Sequence, residues 1–160
     1  MRTTERGTLS ELRIAALLIE LGCRVSRPIG HDTPYDLVAE RAGRFSRVQV
    51  KTARGWRAPG VVVVQGSGGA AGTLTADECD VILAWDEARG VAYAVPPGAG
   101  RLHLRTAPAA NGQGLHIRRA ADYELRAPPQ LWPAPLVIGV GAVRLTRTRA
   151  KPPEGAAGLP

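Results

Sequence analysis

Residues 35–40 and 46–52 alternate between polar and apolar side chains on either side of Ala42-Gly43. No other feature of the chain restricts its fold as much. Period-two alternation is the pattern of a strand with one buried face, and a glycine in a two-residue connection supplies the positive φ that a tight hairpin needs. A symmetric register about that turn pairs Arg41 with Arg44, Glu40 with Phe45 and Asp36 with Gln49. Asp36, Gln49 and Lys51 then share one face of the ribbon, which places an acid, an amide and an amine side by side.

Upstream, residues 8–22 (TLSELRIAALLIELG) form the strongest helix in the sequence, with Gly22 as the candidate C-cap. Projected on a wheel from Glu11, residues Ala15, Ile19 and Leu12 fall within about 100° on one side, and Ile14 and Leu18 within about 60° on the other. Glu11 therefore reads as lying in the middle of the apolar arc, while Glu20 faces water. Thr8-x-x-Glu11 also fits a capping box, but a cap does not require that place in the arc.

Further strands are expected at 23–25, 61–64, 80–85 and 91–95, with an edge strand at 102–105 and a short helix at 119–125. The glycine-rich run 66–72 reads as a loop. It is not a phosphate-binding loop, because no Gly-Lys-Ser/Thr follows it. His31, His103 and His116 lack metal-ligand spacing, and Trp56 reads as a core residue. After residue 125 the composition changes: residues 126–160 hold seven of the 13 prolines and five basic residues against one acid, Glu154. Two domains of unequal character are expected, a folded unit over 1–125 and a Pro-rich, basic, partly disordered extension over 126–160 in which residues 136–143 could add a strand.

The formal charge is +7 and the isoelectric point near 10.4, a balance that favours a polyanionic partner. Nineteen of the 21 basic residues are arginine; the lysines are Lys51 and Lys151. In a chain nearly emptied of lysine, an ammonium inside an alternating strand suggests a chemical reason for it, since lysine is a compact charge that can share a proton and arginine is not. No stretch has the length of a membrane span and the opening residues lack a signal-peptide core, so the expectation is a cytoplasmic protein away from membranes. Cys23 and Cys79 read as buried, reduced thiols rather than a disulfide or zinc site.

Phosphodiester hydrolysis needs a divalent cation to polarise phosphate and ease ionisation of water, and gains from a cation near the developing charge. Asp36 offers a carboxylate, Gln49 a side-chain carbonyl, the Val50 backbone a second carbonyl and Lys51 an ammonium. Glu11 adds a second carboxylate if its helix packs over the hairpin. Oxygen donors of this kind suit Mg²⁺, with Mn²⁺ as a substitute. Arg24, Arg27, Arg44, Arg47, Arg54 and Arg57 surround these residues in sequence and suit phosphate contacts, which position DNA without reading it.

Gly7-xxx-Glu11, Tyr35-Asp36-Leu37 and Gln49-Val50-Lys51, in that order, resemble the motif set of the PD-(D/E)XK nuclease superfamily. Residues 74–81, 93–96 and 118–123 are similar to the segments that follow the hairpin in its small endonucleases. The resemblance covers about residues 5–125. It implies a restriction-endonuclease-like α/β fold, an α-β-β-β-α-β core with a central mixed sheet flanked by helices. It further implies metal binding by Asp36, a ligand role for Gln49, catalytic assistance from Lys51 and an active-site carboxylate at Glu11. Gln49 departs from the usual Glu or Asp, and the loss of one negative charge weakens a Mg²⁺ site. Some intron-encoded homing endonucleases are similar in carrying Gln there. The expected function is a Mg²⁺-dependent DNA endonuclease acting as a homodimer or higher homo-oligomer. The alternatives are a catalytically inactive DNA-binding protein of the same fold and a structure-selective resolvase of the Holliday-junction type.

Overall fold

Helix α1 (Thr3–Glu20) opens the chain. The Glu5 carboxylate closes its first turn by accepting from the Arg2 backbone N–H at 2.8 Å, so the helix starts earlier than its apolar periodicity suggests. Thr8 is thereby interior, its hydroxyl donating to the Thr4 carbonyl, and the Thr8–Glu11 capping box does not form. The C-terminus ends as expected at Gly22, whose φ is 82°. The N–H groups of Gly22 and Cys23 return to the carbonyls of Ile19 and Leu18 at 2.8 and 2.9 Å, a Schellman closure that only a residue tolerant of positive φ permits.

The chain is described here from a computed structural model over residues 2–30, 32–66, 72–108 and 117–126. His31, most of the glycine-rich run 66–72, His116, Lys151, the expected strand at 136–143 and the proposed extension beyond Arg126 lie outside the described residues.

Strands β1 (Arg24–Ser26), β2 (Leu37–Arg41), β3 (Arg44–Thr52), β6 (Val81–Asp86) and β7 (Val91–Val95) form one mixed sheet in the order β1-β2-β3-β6-β7. The β2–β3 register runs from Arg41↔Arg44 to Leu37↔Val48, as the symmetric turn requires. Ala42 and Gly43 both take positive φ, 50° and 73°, the signature of the primed turn that matches strand twist. β3 and β6 run parallel, which obliges residues 53–80 to cross over the sheet. Among the described residues that crossover carries no α-helix. It contributes β4 (Arg54–Gly55) and β5 (Val61–Gln65), which join β8 (Arg101–Arg105) in a second, three-stranded sheet ordered β4-β5-β8. The short helix expected at 119–125 is only one 3-10 turn, Ala120–Asp122.

Two cores result, one on each face of the main sheet. Ile14 and Leu18 of α1 pack on Leu37, Ala39, Val48, Val50, Val81 and Leu83. On the other face Ile82, Ala84, Tyr93 and Val95 pack on Val62, Val64, Leu102 and Leu104 of the second sheet. The buried stripe of α1 is narrower than the apolar arc: Leu12 and Ile19 are exposed, and Glu11 sits at the edge of the buried face rather than in its middle. Cys23 and Cys79 are free and buried, as expected.

Arg47 locks the end of the crossover. Its backbone N–H and guanidinium reach the Asp80 carboxylate at 2.6 and 2.9 Å, and the guanidinium also donates to the carbonyls of Ala76, at 3.0 Å, and Asp77. No helix of the described residues is long and apolar enough to cross a membrane.

Candidate active site

The two cores explain where the site must form. Alternation turns Val48 and Val50 toward α1, so Gln49 and Lys51 point to the opposite face, beside their register partners Ile82 and Ala84. A helix lying on the first face cannot set Glu11 directly above Lys51. The groups meet at a corner instead, where β2 has not yet begun and β3 runs on without a neighbour on that side.

Asp36 occupies this corner. Its N–H still donates to the Val48 carbonyl at 2.9 Å, the last backbone bond between the two chain segments. Beyond it the Asp36 side chain takes the place of strand backbone, Oδ2 accepting from the Val50 N–H at 2.7 Å. The same oxygen accepts from the Gln49 amide, which also donates to the Val50 carbonyl at 3.3 Å. The expected Asp36–Gln49 pairing is thus a direct hydrogen bond. Because the Val48 carbonyl and the Val50 N–H both point to the β2 side, the Val50 carbonyl points there too, into the corner.

Helix α1 reaches the corner from the other face. The Ser10 and Thr52 hydroxyls are 2.8 Å apart, fixing that turn of the helix to the end of β3. Glu11, the next residue, takes the Arg27 guanidinium on Oε2 at 2.7 Å. Burial raises the Glu11 pKa, the Asp36 charge raises it further and Arg27 opposes both. Burial likewise raises the Asp36 pKa from its ordinary value, against the Val50 hydrogen bond and the charges of Lys51 and Arg27. Asp36 is the hub: Gln49 and Val50 bond to it, and Glu11, Lys51 and Arg27 lie near enough to act through charge.

Such a corner suits a hard cation. The Asp36 charge adds to the cost of ionising Glu11, and the Val50 carbonyl lies alongside, where Gln49 would add its own carbonyl on turning its amide over; Mg²⁺ and Mn²⁺ accept donors of all these kinds. No cluster of three or more His, Cys, Asp or Glu side chains with metal-ligand geometry exists among the described residues, consistent with an amide at position 49 where a third carboxylate would stand.

The family model of the PD-(D/E)XK endonucleases matches residues 1–126. The chain belongs to this family. Among solved structures, this PD-(D/E)XK chain is similar to the bacterial homing endonuclease I-Ssp6803I, at 23% identity and a TM-score of 0.63, with 77% of this chain and 86% of that one covered. That likeness bears on the fold: one helix and a five-stranded mixed central sheet. No curated protein matches the chain.

Arg27, expected among the phosphate contacts, holds Glu11 in this PD-(D/E)XK chain. Arg47, expected there too, has its guanidinium engaged by the crossover. Arg44, Arg54 and Arg57 are exposed. Sequence spacing could not reveal the Arg27–Glu11 pair, because 16 residues and a loop separate the partners.

The raised Asp36 pKa gives a prediction with a defined sign. The folded protein takes up a proton at Asp36 more readily than the unfolded chain, whose value is near 3.9. Ionised Asp36 therefore opposes folding at every pH above its folded pKa, and the penalty vanishes as pH falls below the unfolded value. Asp36→Asn, which keeps an oxygen for the Val50 N–H and lets Gln49 turn its amide over, is expected to melt higher than the wild type at neutral pH. The advantage should fade as pH drops through the carboxylate range. Melting curves across that range, without divalent metal, check it; equal melting temperatures at neutral pH would mean that the carboxylate is not strained.

Proposed function

We propose that this chain is a divalent-metal-dependent DNA endonuclease, with Asp36, Gln49, Val50 and Glu11 holding Mg²⁺ and Lys51 assisting the attacking water. The observation that carries this reading is the Asp36 hub, which gathers a carboxylate, an amide, a backbone carbonyl and two cations at one open strand end. When bound, the cation would polarise the scissile phosphate and ease ionisation of water.

The chain's own residues do the rest. The Val50 carbonyl projects from β3, and Asp36 immediately precedes β2 and is bonded to the Val50 N–H, so their oxygens are fixed before substrate arrives. Gln49 orients Asp36 through its amide group and turns its own carbonyl away from that bond. Glu11 supplies the second carboxylate, and the Arg27 guanidinium bonded to it favours its charged form against the effect of burial. Lys51 places an ammonium on the sheet face next to the hub, where it can hold water by hydrogen bond and stabilise charge developing on phosphate. Arg44, Arg54 and Arg57 supply phosphate contacts along the duplex. Cutting both strands needs two such sites, which favours a homodimer or larger assembly; a cytoplasmic location accords with the free, buried thiols.

The test is incubation of the purified protein with supercoiled plasmid and with four-way-junction DNA. Nicking or linearisation that requires Mg²⁺ or Mn²⁺ and stops with EDTA is expected. Junction cleavage far above plasmid cleavage would assign a resolvase. Binding of both DNAs without cleavage in either metal would leave a DNA-binding protein that has lost catalysis at Gln49.

A further inference from the structure

On the second sheet, away from the Asp36 corner, charge is sorted in one direction. Neither residues 53–76 nor residues 96–121 contain an acid, yet these segments carry Arg54, Arg57, Arg101, Arg105, Arg118 and Arg119. Among the described residues none of the six is ion-paired, whereas Arg24, Arg27, Arg47, Arg89 and Arg126 all pair with carboxylates. Strand β8 alternates: Leu102 and Leu104 enter the core, and Arg101, His103 and Arg105 line the outer face.

That outer face has a notch. Trp56, His103, Arg105 and Arg118 surround a cleft of about 350 Å³ with Val61 and Ile117 among its walls. Trp56, read from the sequence as a core residue, is instead 46% exposed. It is held in place on two sides: its backbone N–H donates to the Val61 carbonyl at 3.0 Å, and its ring meets His103 edge to face, with centroids 4.9 Å apart and planes at 83°. Arg105 and Arg118 are joined by a backbone hydrogen bond of 2.8 Å, so β8 and the segment carrying Arg118 are fixed to each other.

A large indole left exposed among unpaired cations fits a ligand that is both flat and anionic. We infer that the Trp56–His103–Arg105–Arg118 notch binds an unpaired nucleotide, the base stacking on Trp56 and its phosphates lying on the two arginines. Paired bases hide their faces inside the duplex and offer an indole nothing to stack on, so the notch selects single-stranded or locally unpaired DNA over perfect duplex. The cleft is of the size at which small-ligand sites begin, roughly 300 Å³. Trp56 lies five residues beyond Lys51, so their Cα atoms are at most about 17 Å apart. One nucleic acid can therefore occupy the notch and the Asp36 corner together. The inference rests on DNA being the ligand of this chain but not on its being cut.

The experiment is fluorescence anisotropy with two labelled DNAs of one sequence, one fully paired and one with a short internal unpaired stretch, in EDTA so that nothing is cleaved. The wild type is expected to bind the unpaired DNA on the order of ten-fold more tightly, the scale of one base stacked on an aromatic ring. Trp56→Ala should remove that preference while leaving duplex affinity unchanged, and Trp56→Phe should keep most of it. Equal affinity of the wild type for both DNAs would overturn the assignment, as would a preference that survives Trp56→Ala in a variant with wild-type circular dichroism. Competition by an acidic peptide as effective as unpaired oligonucleotide would also overturn it and point to a protein partner. Failure of cleavage with the preference intact would count against catalysis alone.

Discussion

Lys51→Ala is expected to slow metal-dependent DNA cleavage by about 100- to 1000-fold, the scale of losing one preorganised charge beside a reacting phosphate. Two observations set the size. Lys51 acts on Asp36 through charge, so its ammonium lies beside the group at the centre of the site. It also projects from β3 where that strand pairs with β6, Lys51 beside Ala84, so the ladder on that side holds its backbone in place and little movement is needed to bring the charge to bear. Lys51→Arg should restore little, because a planar guanidinium is broader, permanently charged and unable to share its proton as an ammonium can. The fold should survive, since Lys51 is only half-buried and belongs to neither core. The measurement is the initial rate of plasmid nicking in Mg²⁺, with circular dichroism and melting of each variant alongside. Cleavage at the wild-type rate by Lys51→Ala would show that the activity belongs to another protein in the preparation or to another site.

The hairpin was the most legible part of this chain because its physics is local. Alternation sets the faces and the Ala42-Gly43 turn sets the register, so the Asp36–Gln49 contact follows from counting. The helix was legible in type but not in orientation. Leu12 and Ile19 look as apolar as Ile14 and Leu18, and only the sheet beneath decides which stripe is buried. For the same reason the position of Glu11 was not legible: it comes within reach of the Asp36 charge from the edge of the buried helix face and not from above the Lys51 face.

Long-range pairings were not legible at all. Arg47 and Asp80 are joined across a crossover whose path depends on a parallel strand pair, and nothing local marks their partnership. Arg27 looked like any other surface arginine until the fold set it on Glu11. Trp56 misled in the opposite direction. Large aromatics are usually buried, but here the run after β3 feeds a small second sheet whose inner face is already filled by Val62, Val64, Leu102 and Leu104, and the indole stays outside.

Leu18→Ala is expected to destabilise the protein by about 2–5 kcal/mol and to lower its melting temperature by on the order of 10 °C. Leu18 is fully buried, and with Ile14 and Ser10 it is one of just three buried residues in the 18 of α1. So narrow a stripe gives the helix few ways to collapse onto a missing side chain, which keeps the cavity open and the cost high. Leu12→Ala, on the exposed side of the same helix, should change stability by less than about 0.5 kcal/mol. The pair of variants separates seating of the helix from its intrinsic propensity, since both exchange leucine for alanine within one helix. Loosening α1 also frees the turn that the Ser10–Thr52 contact fixes, and Glu11 with it, so folded Leu18→Ala should lose cleavage at temperatures below its own melting point where Leu12→Ala does not. Denaturation of both variants by heat and by urea, followed by plasmid nicking well below the transition, gives both readings. Equal stability of the two would mean that α1 does not bury the Ile14–Leu18 stripe, and with it the route by which Glu11 reaches Asp36 would be lost.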